Sequence, residues 1–160
     1  MKEASDVVEL TVPAKSEYIG IVRLTTSGVA NRMGYSYDDI EDIKVAVSEA
    51  CTNAVNHAYK DGEQGQVQIK LFTYEDRLEI MVIDEGKSFD SKRVIGEMKP
   101  LSASMTLDQM NEGGLGLYLI DTLMDGVTVN SDSGVVVFMT KFLNRDEVDA
   151  HGNRAYTSNE

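Results

Sequence analysis

The sequence predicts an α+β fold: a two-layer sandwich with helices on one face of a mixed, mostly antiparallel sheet. Three observations carry that expectation. Some segments alternate apolar and polar residues at period two, and others repeat apolar residues at helical spacing. These segments follow one another without the regular alternation of a doubly wound fold. At 160 residues the chain makes one domain, long enough to bury a sizeable core.

The elements read in order. Val7 to Val12 forms a first strand, stopped by Pro13. Residues 15–34 form a helix, because Tyr18, Ile21, Val22, Thr25, Val29 and Met33 recur at helical spacing and Gly34 can close it. Ser36 followed by Asp39 resembles a capping box that opens a second helix. Its apolar stripe is Ile40, Ile43, Val47, Ala50, Ala54 and Ala58. Asp38, Asp39, Glu41 and Asp42 crowd its first turn, where the helix dipole favours negative charge. Asp61-Gly62 and Gly65 mark a turn, after which Val67, Ile69 and Leu71 alternate as a strand. Leu78, Ile80 and Val82 alternate as the next, joined through Glu75-Asp76. Residues 87–112 show no clean period, and a connection that long reads as a functional lid. From Gly114 to Met124 the pattern is helical again. Val127 to Asn130 and Val135 to Phe142 close the domain as a hairpin. The domain therefore spans residues 1–143, and residues 144–160 form a polar, frayed tail.

Composition narrows the function classes. The chain is 42% hydrophobic and 26% charged, as soluble globular proteins are. No apolar run approaches the ~20 residues of a membrane span, and no signal-peptide core is visible, so a cytoplasmic protein with no membrane partner is expected. The single cysteine, Cys51, excludes an internal disulfide and reads as inert packing. A net charge of −12 opposes direct nucleic-acid binding, which needs clustered Lys and Arg. It suits a basic protein partner, or simply a well-solvated surface. Residues 87–99 are a local exception, where Lys87, Lys92, Arg93 and Lys99 outweigh Asp90 and Glu97.

Three short segments carry chemistry. Glu49 and Asn53 are four apart, so they project from one side of the second helix, off its apolar stripe. A carboxylate and an amide oxygen one turn apart suit magnesium, because the amide adds no charge and leaves room for phosphate oxygens and water. The carboxylate can also orient or deprotonate a hydroxyl nucleophile. The plain alternative is a solvated helix face. His57, one turn further, is either a ligand or proton carrier, or a helix-edge histidine beside the core. His151 lies in the tail and takes no role.

Asp84 shares parity with Leu78, Ile80 and Val82, which points it to the buried face of the sheet. A buried carboxylate needs a hydrogen-bond donor. The exocyclic amine of adenine is one, with Gly86 letting the ring approach the backbone. An ordinary Asp-Glu-Gly turn is the alternative. Gly113-Gly114-Leu115-Gly116-Leu117 opens a helix with exposed backbone N–H groups, either a phosphate seat or a flexible loop end. Neither a P-loop nor the protein-kinase motif set is present.

The run from Glu49 to Tyr59, Asp84-Glu85-Gly86 and Gly113 to Leu117 together resemble the N, G1 and G2 boxes of the gyrase, Hsp90, histidine-kinase and MutL ATPase superfamily. The resemblance covers roughly residues 7–143, and is closer still to the serine-kinase anti-sigma factors of the general-stress type. It implies the Bergerat ATP-binding fold, with ATP and Mg2+ as cofactors. Glu49 would be the catalytic carboxylate, Asn53 the magnesium ligand and Asp84 the adenine contact. Gly86, Gly114 and Gly116 would line the nucleotide, and residues 87–112 would be the ATP lid. It further implies a homodimer that sequesters an RNA polymerase sigma factor and phosphorylates a serine of an anti-anti-sigma antagonist. Arg23 falls where the family turns a basic residue toward its partners. Val136 stands where the superfamily often has a threonine near the adenine pocket, which removes one possible hydrogen bond there.

Two other readings are distinguishable. A binding module would sequester the sigma factor and use ATP only to set its conformation. A histidine-kinase catalytic domain would need an upstream helix pair, yet only six residues precede Val7.

Overall fold

A computed structural model describes residues 3–60, 65–85, 99–100, 115–130 and 136–144. In chain order these are β1 (Asp6–Pro13), a 3-10 turn (Ser16–Tyr18), α1 (Ile19–Met33), α2 (Tyr37–Lys60), β2 (Gln66–Thr73) and β3 (Arg77–Glu85). They continue with β4 (Lys99–Pro100), α3 (Leu115–Leu123), β5 (Gly126–Asn130) and β6 (Val136–Phe142). The six strands form one sheet in the order β1-β2-β3-β6-β5-β4. Every described pairing is antiparallel, so the described sheet is not mixed. β4 interrupts the stretch expected to lack structure. It pairs only Lys99 with Val129 and Pro100 with Thr128, too short a ladder to leave a period in the sequence. The rest of 87–112 and the tail lie outside the described residues.

The strands explain where the core sits. Val67, Ile69 and Leu71 on β2 face Asp84, Val82 and Ile80 on β3 across the ladder. Leu78 continues the β3 row, and all these apolar side chains are buried in the main core. Alternation sends their neighbours to the other face. Met81, Ile83 and Val136 form a second, smaller buried cluster there, with Phe72 and Phe138 against it. This corrects the expectation for Val136. It pairs with Ile83 and shares Ile83's face, opposite to the face that carries Asp84.

The helices close the main core. Gly34 ends α1 in the left-handed conformation (φ 96°), which suits glycine because it lacks a Cβ. Its N–H reaches the Ala30 and Asn31 carbonyls, and the Tyr35 N–H also returns to Ala30. The buried face of α1 is Val22, Thr26 and Ala30, while the expected Ile21 is 47% exposed. A polar residue fits in that core line because the Thr26 hydroxyl donates to the Val22 carbonyl at 2.8 Å. At the start of α2 the Asp39 N–H donates to Ser36 Oγ at 3.2 Å, the expected cap. Ile43, Ala46, Val47, Ala50, Cys51 and Ala54 are buried along α2. Small side chains along that line let the helix lie against β3, between α1 and α3. Burial pushes the Cys51 thiol up to about 12, so it stays protonated and inert at neutral pH, as packing requires.

Lys141 on β6 ties the layers together. Its side chain is 11% exposed, and its ammonium donates to the Leu123 carbonyl at the end of α3 at 2.6 Å. Asp39 and Asp42 of α2 lie 3.8 and 3.7 Å away. Tyr35 Oη donates to the Lys141 carbonyl at 2.6 Å. One cation therefore satisfies a helix C-terminus by hydrogen bond and offsets, as ion pairs, the acids in the first turns of α2. Lys141→Met keeps the stem but leaves the Leu123 carbonyl without that donor. It should lower unfolding free energy by about 1–3 kcal/mol in urea denaturation. A loss below a few tenths would show that the cation is not needed to join α2, α3 and β6.

Candidate functional site

α2 carries the site because of its winding. Each step of four residues turns the helix about 40° beyond a full turn. Glu49, Asn53 and His57 therefore form a stripe that starts beside α3 and drifts toward the sheet. Glu49 and Asn53 are half-buried, and so is His57. At the far end of the stripe, His57 Nδ1 lies 2.8 Å from Asp84 Oδ2. Asp84 is 3% exposed, on the helix-covered face that its parity predicted. The tautomer that carries its proton on Nδ1 donates to this carboxylate oxygen.

At the near end, α3 approaches closely. A Cβ placed on Gly116 would lie 2.8 Å from Glu49 Oε2, 3.7 Å from Asn53 Nδ2 and 3.8 Å from Asn53 Oδ1. Gly116 is thus required by proximity: any side chain would enter the space used by the carboxylate and the amide. Asn53 Nδ2 is buried and has no hydrogen-bond partner among the described residues. Such a buried unmet donor costs about 1–3 kcal/mol. A phosphate oxygen is an acceptor that would meet it. Among the described residues no three His, Cys, Asp or Glu side chains are grouped to hold a metal. A site of this kind fits a hard divalent cation that takes one amide oxygen from the protein and the rest of its ligands from phosphate and water.

The structure thus brings together Glu49, Asn53 and Gly116 at one end and Asp84 at the other. Arg23 is apart from them, exposed on α1. Gly86 and Gly114 lie outside the described residues. Sequence reasoning left the role of His57 open. Its signal was the i, i+4, i+8 series with Glu49 and Asn53, which places it on the same stripe.

Residues 12–141 match the family of the histidine kinase-like ATPase domain. A serine-protein kinase RsbW of Bacillus pumilus is 60% identical over 151 residues, covering 93% of this chain and 93% of its own. The serine-protein kinase RsbW of Bacillus subtilis is 58% identical over 149 residues, again covering 93% of each. Among solved structures, the RsbU and RsbW domains of a Mycobacterium tuberculosis protein superpose with a TM-score of 0.59 at 20% identity. That match covers 86% of this chain and 32% of the other, and supports the fold. The fold and site thus define a histidine kinase-like ATPase domain. Within that class, the chain belongs to the RsbW family of serine-protein kinases. Among the described residues, no helix is long and apolar enough to cross a membrane.

The Gly116 contact is testable. The nearest atom to an added Cβ is the mobile end of Glu49, so the fold can yield there cheaply. Gly116→Ala should melt within a few degrees of the parent while phosphoryl transfer falls at least tenfold, because Glu49 is displaced. A variant with parental stability and parental rate would remove Gly116 from the positioning of Glu49.

Proposed function

We propose that this chain is a cytoplasmic anti-sigma factor that sequesters a general-stress RNA polymerase sigma factor and uses Mg-ATP to phosphorylate a serine of its anti-anti-sigma antagonist. The observation that carries the reading is the stripe on α2, with Glu49 and Asn53 against Gly116 at one end and the Asp84 carboxylate at the other. That layout separates a polar, cation-competent end from a base-selective end, as a nucleoside triphosphate requires. Eight residues of helix span about 12 Å between the two ends.

Asp84 accepts from the exocyclic amine of adenine, with Gly86 beside the ring. Asn53 is the residue that would hold magnesium, which when bound offsets the charge of the phosphate oxygens. Gly116, in the first turn of α3, and Gly114, which lies outside the described residues, serve the phosphates, since backbone N–H groups at a helix start favour negative charge. Glu49 orients the antagonist's serine hydroxyl and takes its proton as the oxygen forms its bond to the γ-phosphorus. The bond from that phosphorus to the β-γ bridging oxygen breaks, and ADP leaves. Such transfer depends mainly on positioning and electrostatics. The protein works as a homodimer, and Arg23 serves the surface turned toward its sigma-factor and antagonist partners. It stands on α1 beside Ile21 and Leu24, which are 47% and 74% exposed.

Incubation with labelled ATP, a sigma factor and a candidate antagonist tests the reading. Glu49→Ala should keep ATP and sigma-factor binding but lose phosphoserine formation by about 10²-fold or more. An equally fast variant would sink the role of Glu49, and binding with no phosphoserine in the parent would favour an ATP-gated binding module. Asp84→Asn should weaken ATP at least tenfold by calorimetry, since its amide places a donor where the base offers one. Unchanged affinity would take Asp84 out of the pocket.

A further inference from the structure

We infer that His57 is the positioning residue that keeps Asp84 in its base-selective form, and so helps set the choice of purine. The inference rests on the reading that Asp84 meets the base. The geometry is specific. Asp84 is 3% exposed and lies at the end of an apolar row, beyond Val82 and across from Val67. His57 reaches it from α2, twenty-seven positions earlier in the chain, at 2.8 Å. The bond engages Oδ2 and orients the carboxylate, so that Oδ1 is the oxygen the base would meet.

The chemistry follows from who donates. A donor held at Oδ2 leaves Oδ1 as a fixed acceptor. An acceptor selects a purine that presents an amine, such as adenine, over one that presents a keto oxygen, such as hypoxanthine. Without the imidazole, the same carboxylate would sit buried with no charge-stabilising donor from α2, which is costly. Unheld at Oδ2, the carboxylate is free to turn, and Oδ1 no longer stands fixed opposite the exocyclic group of the base. The acceptor that draws in an amine and repels a keto oxygen is then lost from that place. His57 therefore acts on discrimination between bases, beyond overall affinity.

The test compares ATP with inosine triphosphate, which differs at the exocyclic group read by Asp84. Equilibrium affinities and steady-state kinetics are measured for the full chain, for His57→Ala, for His57→Asn and for Asp84→Asn. His57→Ala should weaken ATP about tenfold and shrink the ratio of ATP to inosine triphosphate affinity at least tenfold. His57→Asn carries an amide N–H near the place of Nδ1 and should recover most of both losses. A purely structural role would lower both nucleotides together and leave their ratio unchanged, which overturns the inference. So would a His57→Asn variant no better than His57→Ala. Should His57→Ala not fold, His57→Leu, which fills the space without a donor, decides in its place: a ratio shrunk at least tenfold supports the inference, and a parental ratio overturns it. Asp84→Asn separates the two levels. If it leaves ATP affinity unchanged, the pocket reading itself fails. If it weakens ATP while His57→Ala does not, only the role of His57 fails.

Discussion

A carboxylate buried at the end of an apolar row on a central strand is the constraint around which the site is built. Asp84 continues the line of Leu78, Ile80 and Val82, and the covering helix removes it from water. Burying a charge without compensation costs several kcal/mol, more than one well-made hydrogen bond returns. Among the described residues Asp84 is the one buried carboxylate, and His57 Nδ1 lies 2.8 Å from it. A group kept at such expense on an otherwise apolar face is more useful for recognition than for stability. Replacing it with valine would extend the core row and remove the only part of that row able to read a polar ligand.

The same requirement fixes α2. To place a donor over β3, the helix must lie close to the strand, and its line of Ala46, Ala50, Cys51 and Ala54 makes that approach possible. Once His57 is placed, helical geometry decides where Asn53 and Glu49 go, one and two turns earlier and progressively further from the sheet. They arrive under the start of α3, where Gly116 leaves room for them. On the proposed reading, base selection and phosphate chemistry are therefore coupled by one rigid element. A tilt of α2 that disturbed one end would disturb the other. The Lys141 contacts to Leu123, Asp39 and Asp42 resist that tilt, because they pin the first turn of α2 and the last turn of α3 to the same strand.

Much of this was readable from local pattern. The parity of Asp84, the cap at Ser36, the stop at Gly34 and the hairpin of β5 with β6 all depend on residues close in sequence, where period and turn chemistry act directly. What stayed hidden depends on contacts across the fold. His57 meets Asp84 only because α2 crosses β3, and no local rule states which side chain lands where. Thr26 hides in the core by bonding within its own helix, which hydropathy scores as an exposed position. Val136 was assigned to the pocket by motif position, but one residue along a strand changes the face, and the ladder with Ile83 sets it on the other side. β4 joins the sheet through two residues that carry no alternation at all.

The scarcity of metal ligands among the described residues has its own logic. A cage of carboxylates would bind a divalent cation whether or not a nucleotide were present, and would add negative charge exactly where a triphosphate must sit. One amide does neither. On the proposed reading Asn53 would contribute an uncharged oxygen, while its buried Nδ2, which lacks an acceptor among the described residues, would meet an anion. On the proposed reading, cation and triphosphate each complete the other's coordination, so the protein holds neither firmly alone. The carboxylate of Glu49, one turn away, then stands free of metal duty and available to a hydroxyl. A single substitution of a second carboxylate for Asn53 would undo that division, since it would repel the phosphates it was meant to help hold.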